Sequence, residues 1–129
     1  MYNYTFTVDP AYGYVLLVVF FTYFLSFWQG IMVGRMRTKL KVDYPAMYSD
    51  TEPLFNCYQR AHQNTLEKIP LFLILLLAAG LFNAKMAAAF GFLWLVSRVI
   101  YSVGYYSGMP KNRVVGSVVS CYSILCQPS

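Results

Sequence analysis

The feature that most constrains this sequence is a long stretch without charge near its N-terminus. No residue between Pro10 and Gly34 is charged, and the stretch is rich in Val, Leu, Phe and Tyr. About 20 apolar residues cross the hydrocarbon core of a bilayer as a helix. The stretch therefore predicts a transmembrane helix over about residues 10–34. Because it is longer than a signal-peptide core and no basic residue precedes it, we expect it to be retained.

The composition also indicates a membrane protein. Hydrophobic residues make up 58% of the chain and charged residues 12%, with a mean hydropathy of +0.48. An average soluble domain has roughly 45–50% apolar and 25% charged residues. The length of 129 residues allows one domain at most. The net charge of +5 lies in short islands between apolar runs, which argues against a nucleic-acid partner.

Three further apolar runs follow the first. The second predicted span, about 57–82, contains Pro70, which we expect to kink or break the helix. The third, about 86–108, carries one charge, Arg98. The last, 113–126, is too short to cross a bilayer alone, so a short or truncated fourth helix is expected. The sequence thus predicts an all-α integral membrane protein, an up-down four-helix bundle in a single domain.

The orientation of the bundle follows from its basic residues. Four basic residues follow the first span, one follows the second and two follow the third. Loops rich in Lys and Arg face the cytoplasm. The first and third loops are therefore predicted on the cytoplasmic side.

Polar residues form a stripe on each of two spans. On the second span they are spaced i, i+4 and i+7: Arg60, Asn64 and Glu67. On the third span they are spaced i, i+3 and i+7: Arg98, Tyr101 and Tyr105. A charged side chain at the bilayer centre costs about 2.5–3.5 kcal/mol, so such residues face protein or a water-filled cavity. Both stripes lie toward the cytoplasmic ends, and we expect them to converge on one site.

Interpretations in which these residues have only a structural role stay open. Arg60 alone would reach the lipid headgroups by extending its side chain, and an Arg60–Glu67 pair would be purely structural. The tyrosines would then belong to an interfacial aromatic belt. Against this, the polar inventory suits a small zwitterion with several carboxylates and one ammonium, since arginine pairs with carboxylates and Glu67 with an ammonium. Glutathione fits that inventory, and a lipid-like co-substrate would enter between the spans; no metal is expected.

Three segments resemble the MAPEG family, the membrane-associated proteins in eicosanoid and glutathione metabolism. They read KVDYPAMY, FNCYQRAHQNTLEKIPLFL and SRVIYSVGYYSG, and the likeness covers about residues 35–113. Within the family the segments are most similar to the branch of microsomal glutathione S-transferase 3. The resemblance implies a four-helix membrane bundle that forms a homotrimer. It also implies glutathione at subunit interfaces near the cytosol, in the endoplasmic reticulum, with the outer mitochondrial membrane left open.

The resemblance further implies roles for individual residues. Those aligned with glutathione-binding positions are Arg37, Arg60, Asn64, Glu67, Arg98, Tyr101 and Tyr105. Of these, Arg37 is implied to contact a glutathione carboxylate from the neighbouring subunit. Arg113, beside Asn112 at the start of the fourth helix, is implied as the cation that stabilises the glutathione thiolate. The implied activity is a glutathione-dependent transferase or peroxidase acting on lipid electrophiles and hydroperoxides, similar to leukotriene C4 synthase. The alternative is a non-enzymatic lipid-binding or scaffold member of the same family.

Overall fold

The computed structural model describes residues 2–3, 5–108 and 114, and this part of the chain contains three long helices. They are α1 (Tyr12–Lys39), α2 (Pro53–Phe82) and α3 (Ala84–Tyr106). Each is long and apolar enough to cross a membrane. The prediction of an all-α membrane protein therefore agrees with the described part of the chain. The predicted fourth helix over 113–126 lies outside it, apart from Val114.

The helix ends differ from the predicted spans for local reasons. α1 continues to Lys39 because its basic cluster consists of good helix formers, and the left-handed residue Lys41 (φ 53°) follows its end. α2 begins at Pro53, whose missing N–H costs nothing in the first helical turn. Pro70 lies inside an uninterrupted α2, so the predicted break is absent.

A single residue, Asn83, separates α2 from α3. Its backbone is extended, and its side-chain Oδ1 accepts a hydrogen bond from the backbone N–H of Met86 at 3.2 Å. This side chain therefore caps the first turn of α3. The one-residue connection leaves α2 and α3 antiparallel, and α1 packs against both of them. The N-terminal end of α2 and the C-terminal ends of α1 and α3 lie at the same end of the bundle.

The three helices pack closely at a glycine. A Cβ placed on Gly91 of α3 would lie 2.8 Å from Leu76 Cδ1 of α2 and 2.9 Å from Val18 Cγ1 of α1. Nearby, the rings of Phe72 and Trp94 stack with centroids 3.8 Å apart. This apolar core fixes how far the helices are shifted along one another. The shift in turn determines which polar side chains of the three helices come into contact toward the C-terminal end of α1.

Candidate functional site

The two predicted polar stripes meet at a buried guanidinium. Arg98 has no exposed surface, and its Nη2 donates hydrogen bonds to Asn64 Oδ1 at 3.0 Å and to Thr65 Oγ1 at 2.9 Å. Its guanidinium carbon also lies 4.0 Å from the centroid of the Tyr101 ring, a cation–π contact. The structure thus joins α2 and α3 through a charged hydrogen bond between two residues that the sequence predicted for one site.

The same cluster reaches α1 through residues that sequence reasoning missed. Gln29 Nε2 donates to Thr65 Oγ1 at 3.0 Å and also to Ser102 Oγ. Gln29, Thr65 and Ser102 are all fully buried. The available signal was Gln29 itself, because it is the only amide in the uncharged N-terminal stretch. An amide at this position needs buried partners on the neighbouring helices.

A second, more open part of the site lies beside this cluster. Arg60 Nη1 and Glu67 Oε1 are 3.8 Å apart, and their side chains are 49% and 50% exposed. The ring of Tyr105 of α3 packs edge-on to that of Tyr101 with centroids 5.1 Å apart. An ion pair at such exposure contributes at most about 1 kcal/mol. Each of the two side chains can therefore leave the ion pair and bind a charged group of a ligand at little cost in free energy.

The orientation of Asn64 defines what it offers a ligand. Arg98 can only donate hydrogen bonds, so the atom of Asn64 that faces it must be Oδ1. That leaves the amide nitrogen Nδ2, and no hydrogen bond within the described residues uses it. Asn64 is half-buried, between buried Arg98 and the exposed ion pair. It is therefore placed to donate to an acceptor such as a carbonyl or carboxylate oxygen.

Arg37 is engaged elsewhere in the chain. Its Nη1 donates to the carbonyl of Ala46 at 2.8 Å, and its guanidinium carbon lies 4.3 Å from the ring centroid of Tyr44 and 4.8 Å from that of Phe55. These contacts fasten the loop between α1 and α2 to both helices. The structure does not bring Arg37 into the Arg98–Asn64 cluster. Arg113 lies outside the described residues.

An apolar groove runs along the face shared by α1 and α3. It has a volume of 330 Å³, and its walls are aromatic and aliphatic side chains: Phe21, Phe24, Leu25, Trp28, Phe92, Leu95, Val96 and Val99. Such a surface suits an acyl chain. Residues 2–3, 5–108 and 114 include no group of three His, Cys, Asp or Glu side chains able to hold a metal ion.

The amino-acid sequence was compared with those of known proteins. The sequence profile of the MAPEG family matches residues 15–127. Microsomal glutathione S-transferase 2 of Mus musculus is 40% identical over 85 residues, which are 65% of this chain and 56% of the mouse protein. The human protein of the same name is 38% identical over 87 residues, 67% of this chain and 57% of its own length. An uncharacterized protein of Synechocystis sp. is 35% identical over 94 residues, 72% of this chain and 66% of its own length.

Two facts qualify these likenesses. The chain spans little more than half the length of the mammalian relatives it matches. Those relatives carry the type 2 name, so the similarity to the type 3 branch stays a prediction. The family match itself covers most of the sequence, in agreement with a membrane protein that has three apolar helices in its described part. The chain therefore belongs to the MAPEG family.

Proposed function

We propose that this protein is a glutathione-dependent transferase or peroxidase that conjugates or reduces membrane-soluble lipid electrophiles and hydroperoxides. The observation that carries the proposal is the hydrogen bond from Arg98 to Asn64, which joins the two polar stripes beside the Arg60–Glu67 pair. A site with an arginine, a carboxylate and an amide donor side by side matches the charges of glutathione. The relatives named as glutathione S-transferases support the same co-substrate.

Each polar group has a distinct role in this proposal. Arg60 takes a glutathione carboxylate and Glu67 takes the ammonium, so the ion pair opens as the ligand enters. Asn64 donates from Nδ2 to an oxygen of glutathione, while the hydrogen bond from Arg98 to Asn64 Oδ1 holds the amide in place. Tyr101 and Tyr105 are buried on the α3 side and would support the site from there. Arg37 contributes from a neighbouring subunit, in keeping with the resemblance.

The chemistry requires a thiolate. A free thiol has a pKa near 8.5, and lowering the pKa by two units requires about 2.7 kcal/mol of preferential stabilisation of the anion. A guanidinium in a low-dielectric site is able to supply that, and Arg113 is proposed for this role. In the transferase reaction the thiolate sulfur bonds to an epoxide carbon, the C–O bond breaks and the alkoxide takes up a proton. In the peroxidase reaction the thiolate attacks the terminal oxygen of the hydroperoxide, the O–O bond breaks, and the leaving alkoxide takes up a proton to become the alcohol. The thiol of a second glutathione then attacks the sulfur of the glutathione sulfenic acid, which forms the disulfide and releases water.

The exposure of the ion pair supports a homotrimer. Arg60 and Glu67 lie half-exposed on the outside of a helix that is long and apolar enough to cross a membrane. α2 has 30 residues and is roughly 45 Å long, against a hydrocarbon core of about 30 Å. The excess of roughly 15 Å corresponds to about the first ten residues of α2, so Arg60 reaches the edge of the hydrocarbon core, where a neighbouring subunit would cover the pair and complete the site. We place this site on the cytosolic face of the endoplasmic reticulum.

One observation favours the alternative of a non-enzymatic lipid-binding member. The groove between α1 and α3 is lined by apolar residues and would hold a lipid without any glutathione chemistry. The two functions differ in their need for the polar cluster, because a lipid scaffold does not require Arg60, Asn64 and Glu67 together. Glutathione binding therefore separates them.

The test is glutathione consumption by the purified protein in detergent, with a lipid hydroperoxide or a conjugated lipid epoxide as second substrate. We expect turnover that saturates with glutathione and that falls in Arg60→Met. The matched control is Arg35→Met, which removes an equal charge at an exposed position of α1. Lipid binding without glutathione turnover in the wild type would favour the scaffold function instead.

A further inference from the structure

Gln29 occupies an unusual place in the bundle, because one amide group of α1 connects the other two helices. Its Nε2 donates to Thr65 Oγ1 of α2 and to Ser102 Oγ of α3. Both acceptors belong to the surroundings of Arg98: Thr65 Oγ1 accepts from Arg98 Nη2, and Ser102 Oγ donates to the Arg98 carbonyl at 2.8 Å. Gln29 is thus linked through Thr65 to the guanidinium of Arg98 and through Ser102 to its backbone carbonyl.

The hydrogen bonds that the Thr65 and Ser102 hydroxyls already make explain why position 29 carries an amide. The Thr65 proton is committed to the Ala61 carbonyl at 3.1 Å, and the Ser102 proton is committed to the Arg98 carbonyl. Both hydroxyls can therefore only accept from Gln29, which must supply two protons from one atom. An amide NH₂ does this, whereas a hydroxyl has one proton and an apolar side chain has none.

The amide is retained at a cost. Gln29 Oε1 is buried and has no hydrogen-bond partner within the described part of the chain. Burying an unpaired polar atom is unfavourable, and an apolar side chain of similar size would avoid it. A purely apolar packing role for position 29 would not call for a glutamine. The geometry instead matches a need to hold Thr65 and Ser102 at a fixed separation.

We infer that Gln29 is a positioning residue of the glutathione site. By bridging Thr65 and Ser102 it fixes the spacing of α2 and α3 at the level where Arg98 holds Asn64 Oδ1, and so keeps the Asn64 amide directed at the ligand. This inference rests on the proposed function. Because Gln29 itself is fully buried, the role that we assign to it involves no contact with the ligand.

The expected effect appears in affinity and not in chemistry. A site that is only partly assembled binds with an apparent affinity reduced by the assembled fraction. Loss of two interhelical hydrogen bonds of ordinary strength lowers the ratio of assembled to unassembled site about tenfold. We therefore expect Gln29→Met to raise KM for glutathione by up to about tenfold while kcat changes less than about twofold.

The matched control is Thr22→Val in the same helix. Thr22 is also buried, but its hydroxyl donates to the carbonyl of Val18 in its own helix, and no hydrogen bond of the described residues links it to α2 or α3. A general loss of stability would affect both variants alike, so an unchanged KM in Thr22→Val isolates the bridging role. If Gln29→Met does not assemble, Ser102→Ala removes one arm of the bridge and is expected to raise KM about threefold.

A double-mutant cycle tests whether Gln29 acts through Arg98. In an Arg98→Met background, Gln29→Met should raise KM for glutathione no further. Additive effects in the cycle, or a KM for Gln29→Met equal to that of the wild type, would overturn the positioning role while leaving the proposed function intact. Absence of saturable glutathione binding by the wild type would instead reject the proposed function, and the positioning role with it.

Discussion

Asn64→Asp is the substitution that best separates support of the fold from ligand binding. It is nearly isosteric, and the carboxylate oxygen that replaces Oδ1 still accepts from Arg98 Nη2 at the same 3.0 Å position. The bond becomes a buried ion pair, so the stability of the bundle should be maintained or raised. The second oxygen replaces the Nδ2 donor that we assign to glutathione.

The magnitude of the effect follows from that exchange. A hydrogen bond to a charged acceptor contributes about 1.5–3 kcal/mol, and 1.4 kcal/mol corresponds to a factor of ten in affinity. Losing the donor should therefore weaken glutathione binding at least about tenfold, and repulsion between the new carboxylate and a ligand carboxylate adds to the loss. The predicted combination is an unchanged or higher unfolding temperature with much weaker binding.

Equilibrium binding of glutathione to the detergent-solubilised protein, paired with thermal unfolding of the same samples, measures both quantities. Gln63→Glu is the control, because it introduces the same charge one residue away on α2, and no hydrogen bond within the described residues involves Gln63. It should bind glutathione almost as the wild type does. Wild-type affinity in Asn64→Asp would refute the assignment of Nδ2 to the ligand, as would a loss of binding accompanied by an equal loss of stability.

Further predictions concern the thiolate, the core and the loop. Arg113→Ala should lower kcat far more than it changes glutathione affinity, whereas Lys111→Ala should leave both nearly unchanged; equal kcat in Arg113→Ala would remove that residue from the chemistry. Gly91→Ala should destabilise the bundle by about 1–3 kcal/mol in chemical unfolding, because its Cβ meets two neighbouring helices at under 3 Å. Gly34→Ala meets nothing within 4 Å and should be neutral or stabilising by up to about 1 kcal/mol, so equal behaviour of the two glycines would contradict the packing. Arg37→Leu should increase proteolysis in the loop between α1 and α2, since it removes the bond to the Ala46 carbonyl, and unchanged cleavage would show that the loop is held otherwise.

The three described helices were predictable because length and hydropathy alone determine which segments can cross a bilayer. The residues at which the helices begin and end were less predictable. Pro70 removes one hydrogen bond from α2, yet flanking helix formers and packing against α1 and α3 keep the helix uninterrupted. The continuation of α1 through its basic cluster was missed because charge marks the edge of the hydrocarbon core, which is not the end of a helix.

The contact between the two polar stripes was predictable because spacing along one helix determines a shared face, whereas the role of these residues in binding stays a prediction. Arg98 and Asn64 carry polar groups that apolar surroundings force together, and the structure pairs them. Gln29 was missed because its partners lie on other helices, and the register between helices depends on core contacts such as that at Gly91. Within its own chain Arg37 is held by a carbonyl and the aromatic rings of the loop, and its contribution to the site of a neighbouring subunit stays a prediction.

The most direct test of the central claim is a glutathione titration of the purified wild-type protein, followed by the ultraviolet difference absorbance of the thiolate. We expect a thiolate signal that saturates with glutathione, disappears when an S-methylated analogue replaces it, and weakens in Asn64→Asp. Absence of a saturable signal, together with no binding of glutathione by equilibrium dialysis, would contradict the claim that the cluster around Arg98 and Asn64 binds the tripeptide.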